Sequence, residues 1–240
     1  MNLNAKDKSA ITSLNSNTDI SNNNHKPIFL VITGNFTFHG EDRTSFVSPN
    51  GSPTEKIFLA VDSIAKSIDQ KLESQFIAPG TTCETSVKTA SDFIKKNYQR
   101  DDSIIVYGYS NGGRCAMDLV TELQKQKKPV DLLITVDATD AKSKFFGNHN
   151  TTVDSTTPAN VKLHKNFYQN DECGILKCPS GATMQAESPV TTTVINYKTQ
   201  LDSLTNEEYK THLHRHMETI NKDEILKTIS STLQTTKTNE

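Results

Sequence analysis

The stretch Ser103-Ile104-Ile105-Val106-Tyr107-Gly108-Tyr109-Ser110-Asn111-Gly112-Gly113-Arg114-Cys115-Ala116 constrains this chain more than any other. A β-branched run feeds Gly-x-Ser-x-Gly and passes straight into a helical pattern. The sequence therefore predicts a strand, a sharp turn and a helix, the context of a nucleophile elbow. Such a turn presses the backbone of Ser110 into a cramped conformation that side chains at positions 108 and 112 would obstruct, which gives both glycines a steric task. Glycine is scarce, ten in the chain, and three of the ten are Gly108, Gly112 and Gly113, a concentration that marks the turn as built. The Ser110 hydroxyl is then exposed above the sheet edge. The N–H of Asn111, first in the helix, points to the same spot and can donate to a developing oxyanion. The bland alternative is a glycine-rich β–α turn with no chemistry.

A chain of 240 residues can bury one sizeable core without dividing, so one domain over residues 27–240 is expected. Met1 to Lys26 is rich in Asn, Ser, Thr and Lys and has no apolar core of a signal peptide, so it reads as a flexible tail. The expected location is cytoplasmic, with export lacking a cleavable signal peptide as the alternative. A net charge of −2 with both signs interspersed excludes the electrostatic footprint of a nucleic-acid binder. The longest apolar run has the length of a buried strand, too short for a membrane span. The expected partner is a small molecule or a peptide. Four cysteines, Cys83, Cys115, Cys173 and Cys178, are too few for a disulfide framework in a chain this long. Cys115 reads as a small buried apolar residue. Cys173 and Cys178 read as thiols, with a loop staple or a metal clip as alternatives.

Hydrophobic patterning supplies the rest of the frame. Pro27 to Gly34 is a continuous apolar run, the mark of a strand buried on both faces of a parallel sheet, and Gly34-Asn35-Phe36 reads as its loop. Ser52-Pro53-Thr54-Glu55 opens a helix with Ile57, Val61, Ile64, Ile68 and Leu72 inward. Ser74 to Ala78 is a short strand closed by Pro79-Gly80, and Thr81-x-x-Glu84 opens the next helix. After the elbow helix come strands at Val130 to Val136, Val161 to Phe167 and Val190 to Tyr197. A surface loop is expected around His149 to Pro158 and an irregular excursion from Cys173 to Pro189. Asn221-x-x-Glu224 reads as the cap of a final helix. Strands alternating with helices imply an α/β sandwich, a mostly parallel sheet with helices on both faces. In such sheets functional groups gather at the carboxyl ends of the strands. The residues there are Asn35, Phe36, Ser110, Asp137, Asp140, Asp171, His212, His214 and His216.

The elbow Gly108 to Gly113, the strand end Thr135-Val136-Asp137, the run Asn166-Phe167-Tyr168-Gln169 and His216-Met217-Glu218-Thr219-Ile220 together resemble the serine esterases and lipases of the α/β-hydrolase superfamily. The resemblance spans roughly residues 27–236, and the elbow is its sharp motif. It implies a three-layer α/β-hydrolase-like fold and a Ser–His–acid triad in the chain order of that superfamily, with Ser110 as nucleophile. His216 is the expected base because it lies closest to the capped final helix, with His214 next. Asp137 is favoured as the acid, resembling the lipase-like variant with its acid at the earlier strand, and Asp171 stands as the alternative, with Asp140 a weaker one. Asn111 and one N–H from Asn35 or Phe36 are the expected oxyanion donors. The chain departs from the full pattern in having no room for the first two strands. It also lacks the His-Gly-Gly-Gly run of many esterases.

The implied reaction is acyl transfer to water: hydrolysis of an ester or thioester of a small-molecule acyl or lipid substrate, with no cofactor and no metal. Three rivals share the residues. A binding protein of the same fold would keep the elbow, and a serine peptidase would keep the triad. A zinc site could use His212, His214 and His216, which share one face if that segment is extended.

Overall fold

The computed structural model describes residues 26–34, 51–77, 82–139, 154–169, 181–200, 204–206, 210 and 213–238. The expected tail up to residue 25, the loop residues Asn35 and Phe36, Asp140, His149, Asp171, Cys173, Cys178 and His212 lie outside these.

Among the described residues the chain runs β1 (Ile28–Ile32), α1 (Pro53–Ser67), β2 (Glu73–Ile77), α2 (Cys83–Asn97), β3 (Ile104–Tyr109), α3 (Asn111–Lys125), β4 (Val130–Val136), β5 (Thr156–Thr157), β6 (Val161–Tyr168), β7 (Gln185–Ala186), β8 (Thr193–Lys198) and α4 (Leu213–Thr238). Six strands form one sheet in the order β2-β1-β3-β4-β6-β8. Every pairing in it is parallel. This is the expected α/β architecture. The fully buried β1, Ile-Phe-Leu-Val-Ile, occupies the interior position its unbroken apolar run called for. β5 and β7 make a separate two-stranded ribbon within segments expected to be irregular.

Alternate residues of the strands feed two cores. Phe29, Val31, Ile105, Tyr107, Tyr109, Leu132 and Ile134 pack with Ile57 and Val61 of α1 and with Leu213, Met217, Ile225, Ile229 and Leu233 of α4. Ile28, Leu30, Ile32, Ile104, Val106 and Leu133 pack with Ala90 and Ile94 of α2 and with Ala116, Leu119, Val120 and Leu123 of α3. Helix α1 begins as expected: Pro53 is its first residue and Ser52 Oγ accepts from Glu55 N at 3.1 Å. Helix α2 is capped one residue later than expected, by Thr82, whose hydroxyl accepts from Thr85 N at 3.4 Å.

Two expectations are corrected. The final helix begins at Leu213, not after Asn221. Asn221 is interior to it, and its Nδ2 donates back to Met217 O at 2.8 Å and across to Thr199 Oγ1 at 3.3 Å. Cys115 is not an isolated thiol: it forms a disulfide with Cys83. The bond ties the first residue of α2 to the opening turns of α3, directly behind Ser110.

The bond closes a loop across a sequence separation of 32, which in the chain-entropy account stabilises a protein by roughly 2–4 kcal/mol. Dithiothreitol is therefore expected to lower the unfolding free energy by about that amount, read as a shift in urea midpoint. An unchanged midpoint would show that the link contributes nothing.

Candidate active site

The register of the sheet brings Ser110 and Asp137 side by side. Tyr109 of β3 pairs with Val136 of β4, so Ser110 and Asp137 are the first residues beyond two neighbouring strands. Ser110 N donates to Val136 O at 2.9 Å and Asp137 N to Phe167 O at 2.7 Å, which extends the sheet's bonding pattern by one step on each strand. Both residues then turn through left-handed backbone, Ser110 at φ 56 and Asp137 at φ 45. For non-glycine residues this costs on the order of 1–3 kcal/mol each.

Glycines make the Ser110 turn possible. A Cβ at Gly112 would strike the carbonyl of Ile32 at the end of β1, and one at Gly108 would lie 2.5 Å from Gly112 O. The start of α3 thus rests directly on the backbone at the end of β1. Gly34, two residues beyond β1, sits against Ser110: a Cβ there would be 2.6 Å from Ser110 Cβ and 3.1 Å from its Oγ. Asn111 opens α3, and its amide is among the first four of a helix, which have no acceptor within it.

The His214 ring lies between Ser110 and Asp137. Its Nε2 is 3.0 Å from Ser110 Oγ and its Nδ1 is 2.5 Å from Asp137 Oδ2. An ionised carboxylate only accepts, so Nδ1 carries the proton and Nε2 presents its lone pair to the serine hydroxyl. Asp137 is fully buried and is held by more than the imidazole. Gln169 Nε2 donates to Oδ2 at 3.1 Å, while Gly181 N and Gln169 N donate to Oδ1 at 2.6 and 3.4 Å. A Cβ on Gly181 would meet Oδ1 at 2.9 Å, so only glycine lets that amide approach so closely. Thr139 Oγ1 lies 3.4 Å from Ser110 Oγ, and Thr139 N donates to Ser110 O at 3.1 Å.

Tyr109 supports the ring from below. Its own ring stacks on His214, with centroids 5.4 Å apart and planes 25° from parallel. Its hydroxyl donates to the His214 carbonyl at 2.8 Å, and burial pushes its ionisation well above 10. One turn along α4, the buried Glu218 accepts from Tyr107 Oη at 2.6 Å and from Thr54 Oγ1 at 2.7 Å. Burial raises its pKa to about 7, more than the two hydrogen bonds lower it.

A second, half-buried network anchors the segment carrying Gly181. Asn166 Nδ2 donates to Ala182 O at 2.8 Å and to Asn196 Oδ1 at 2.9 Å, and Asn196 exchanges bonds with both backbone groups of Met184. Asn166 Oδ1 accepts from Thr135 Oγ1. The Thr135 oxygen is then left to accept from His164 Nε2 at 2.8 Å, while Thr157 Oγ1 donates to His164 Nδ1 at 2.7 Å. His164 is a neutral core histidine, its pKa lowered by burial to about 3.

The structure thus brings together Ser110 and Asp137 of the expected residues, with Asn111 next in the chain, and places His214, the alternative histidine, between them. Two positions along a helix are about 200° of rotation. With His214 facing Ser110, His216 turns to another side of α4. The same rotation removes the premise of a zinc site, which needed the histidines on one face of an extended segment. Among the described residues no cluster of His, Cys, Asp and Glu suits a metal ion. Gly181 and Thr139 had no signal of their own in the sequence, since each reads as an ordinary turn residue, and Gln169 stood in the resemblance run without a role.

No protein-family model matches the sequence, and no curated protein sequence does. Among solved structures the chain is similar to Est1E from Butyrivibrio proteoclasticus, with 13% identity, a TM-score of 0.45 and 90% of each chain covered. It is similar to ClbQ from the colibactin NRPS/PKS pathway, at 11% identity and a TM-score of 0.42, over 90% of this chain and 100% of that one. A monoacylglycerol lipase from Paleococcus ferrophilus follows at 11% identity and 0.40, covering 86% and 96%.

Two buried ionisable groups, His164 and Glu218, oppose each other in pH. His164, depressed from 6.5 to about 3, favours folding above 6.5, and that stability is lost as pH falls, by up to about 1.4 kcal/mol per unit. Glu218, raised from 4.5 to about 7, holds its proton longer in the folded state, so it erodes stability as pH rises from about 4.5 to about 7. Glu218→Gln removes only the second effect. Its stability relative to wild type, from urea midpoints, is expected to rise across pH 4.5–7 and stay level outside that window. A level difference throughout would mean that Glu218 titrates at its ordinary pH.

Proposed function

We propose that the protein is a serine hydrolase that cleaves an ester or thioester through an acyl-enzyme on Ser110. The observation that carries the proposal is the His214 imidazole, hydrogen-bonded at once to Ser110 Oγ and to a buried, fully satisfied Asp137. A serine hydroxyl is a weak nucleophile until a neutral imidazole takes its proton as attack begins. In this reading Ser110 Oγ adds to the substrate carbonyl while its proton passes to His214 Nε2. Asp137 fixes the tautomer and stabilises the imidazolium. The same proton then goes to the departing alcohol or thiol. A water, deprotonated by His214, releases the acid and restores Ser110.

The oxyanion donors in this proposal are the Asn111 N–H and one amide from Asn35 or Phe36, which follow Gly34 where the backbone passes beside Ser110. The turn that strains Ser110 would serve as the nucleophile elbow. The substrate class is a small-molecule acyl ester, thioester or lipid. The Cys83–Cys115 bond supports the exported alternative over a cytoplasmic location, because such bonds persist in oxidising compartments. Maleimide trapping in the native cell is then expected to leave both cysteines unmodified.

A fluorophosphonate probe is expected to label Ser110 stoichiometrically, and Ser110→Ala to abolish both labelling and turnover of a p-nitrophenyl ester while folding normally. His214→Ala should lose turnover to a similar degree and His216→Ala should keep it. Asp137→Asn should lower kcat by about 10⁴, the loss seen when an amide imposes the wrong tautomer on the imidazole. A folded wild type inert to probe and ester alike would turn the reading toward a binding protein.

A further inference from the structure

We propose that Glu218 is a positioning residue for His214: its carboxylate, seated between Tyr107 of β3 and Thr54 of α1, fixes the rotation and axial register at which α4 presents the imidazole. The proposal rests on the hydrolase reading, in which His214 must serve Ser110 and Asp137 together.

His214 lies in the first described turn of α4. Its ring must stay within hydrogen-bond reach of two groups on two different strands, where a misplacement of about 1 Å can cost 10²-fold in rate. Residues four apart in a helix share a face, so the face that carries the imidazole carries the Glu218 carboxylate one turn on. Tyr107 and Tyr109, two apart on β3, likewise share a face of the sheet. The two tyrosines grip consecutive turns of α4: Tyr109 Oη donates to the His214 carbonyl at 2.8 Å and Tyr107 Oη to Glu218 Oε1 at 2.6 Å. Thr54, in the first turn of α1, donates to the other oxygen, Oε2, at 2.7 Å.

Stability alone would not choose a carboxylate for this position. Glu218 is 1% exposed, and taking a carboxylate out of water costs several kcal/mol that its hydrogen bonds only offset. The fully buried neighbours of Glu218 on α4 are apolar, among them Leu213, Met217 and Ile225. Apolar contacts are non-directional and leave a helix free to rotate or slide by fractions of an ångström. Two short hydroxyl-to-carboxylate bonds from two separate elements do not.

The test uses Glu218→Leu, Glu218→Gln and, as a control on the same helix far from the imidazole, Leu233→Ala. Glu218→Leu, which strands two hydroxyl donors but relieves a buried carboxylate, is expected to lose no more stability than Leu233→Ala, yet to lower kcat for a p-nitrophenyl ester by about tenfold or more with KM within about twofold. Its downfield His214 Nδ1–H NMR resonance should broaden or vanish. Glu218→Gln, which keeps an acceptor oxygen, should restore most of both signals. Leu233→Ala should lose stability and keep kcat. If Glu218→Leu does not fold, Tyr107→Phe removes one of the two donors and is read the same way. Wild-type kcat together with an intact Nδ1–H resonance in these variants would overturn the positioning role while leaving the hydrolase reading in place. Loss of the resonance in Glu218→Leu, beside a wild type that no fluorophosphonate labels, would uphold the positioning and remove the hydrolase reading instead.

Discussion

The buried carboxylate of Asp137 is the interaction on which the rest of the site depends. An unpaired charge with no solvent access costs several kcal/mol, and only close, well-directed donors offset it. Here the donors come from three stretches of chain beyond its own strand: Gln169 at the end of β6, Gly181 in the segment before β7, and His214 at the start of α4. Each stretch must be in place before the charge is satisfied. The Asn166–Asn196 network that seats residues 182–184 against the sheet is therefore as much a part of the site as the imidazole.

Strain is concentrated at the same place. Among the described residues five that are not glycine have positive φ. Asp69 and Lys127 follow the ends of α1 and α3, and Asp101 lies in the turn before β3. Ser110 and Asp137 are different, since they stand at the carboxyl ends of adjacent central strands. Rigid surroundings hold them in these conformations: the start of α3 lies on the end of β1 with no room for a side chain at Gly112, and the Cys83–Cys115 bond fastens the same turns of α3 to α2.

The fold was largely legible because its main elements carry local signals. The unbroken apolar run of β1, the Ser52-Pro53 start of α1 and the Gly108 to Gly113 turn each state their structure within a few residues. What failed to show was whatever depends on residues distant in sequence. The cap-like Asn221-x-x-Glu224 drew the start of the last helix too late, because Asn221 turns its amide back to Met217 O and over to Thr199 inside the helix. That displaced the histidines into a loop and favoured His216. Leu213, Met217 and Ile220, spaced four and three apart, continue the apolar face of Ile225, Ile229 and Leu233 backwards, and this was the signal that could have placed His214 on the inward side. The disulfide had no such signal: nothing in the two cysteines' neighbourhoods indicates that α2 and α3 bring them together.

The sequence separations divide the site into two halves that form differently. Ser110 and Asp137 belong to one continuous β3–α3–β4 unit, and their spacing follows from the strand register alone. His214 lies 104 residues beyond Ser110 and 77 beyond Asp137, so its arrival requires closing a long loop whose entropic cost only the docking of α4 can offset. The apolar face of α4 supplies the gross attraction, worth roughly 1.5–3 kcal/mol for each fully buried large side chain. That attraction cannot choose among neighbouring rotations of the helix. The polar contacts of Tyr107, Tyr109 and Thr54 with the first turns of α4 can, because a hydrogen bond weakens steeply once its geometry is lost. Hydrophobic burial thus decides that His214 arrives, and three hydroxyl groups from β3 and α1 decide where it stops.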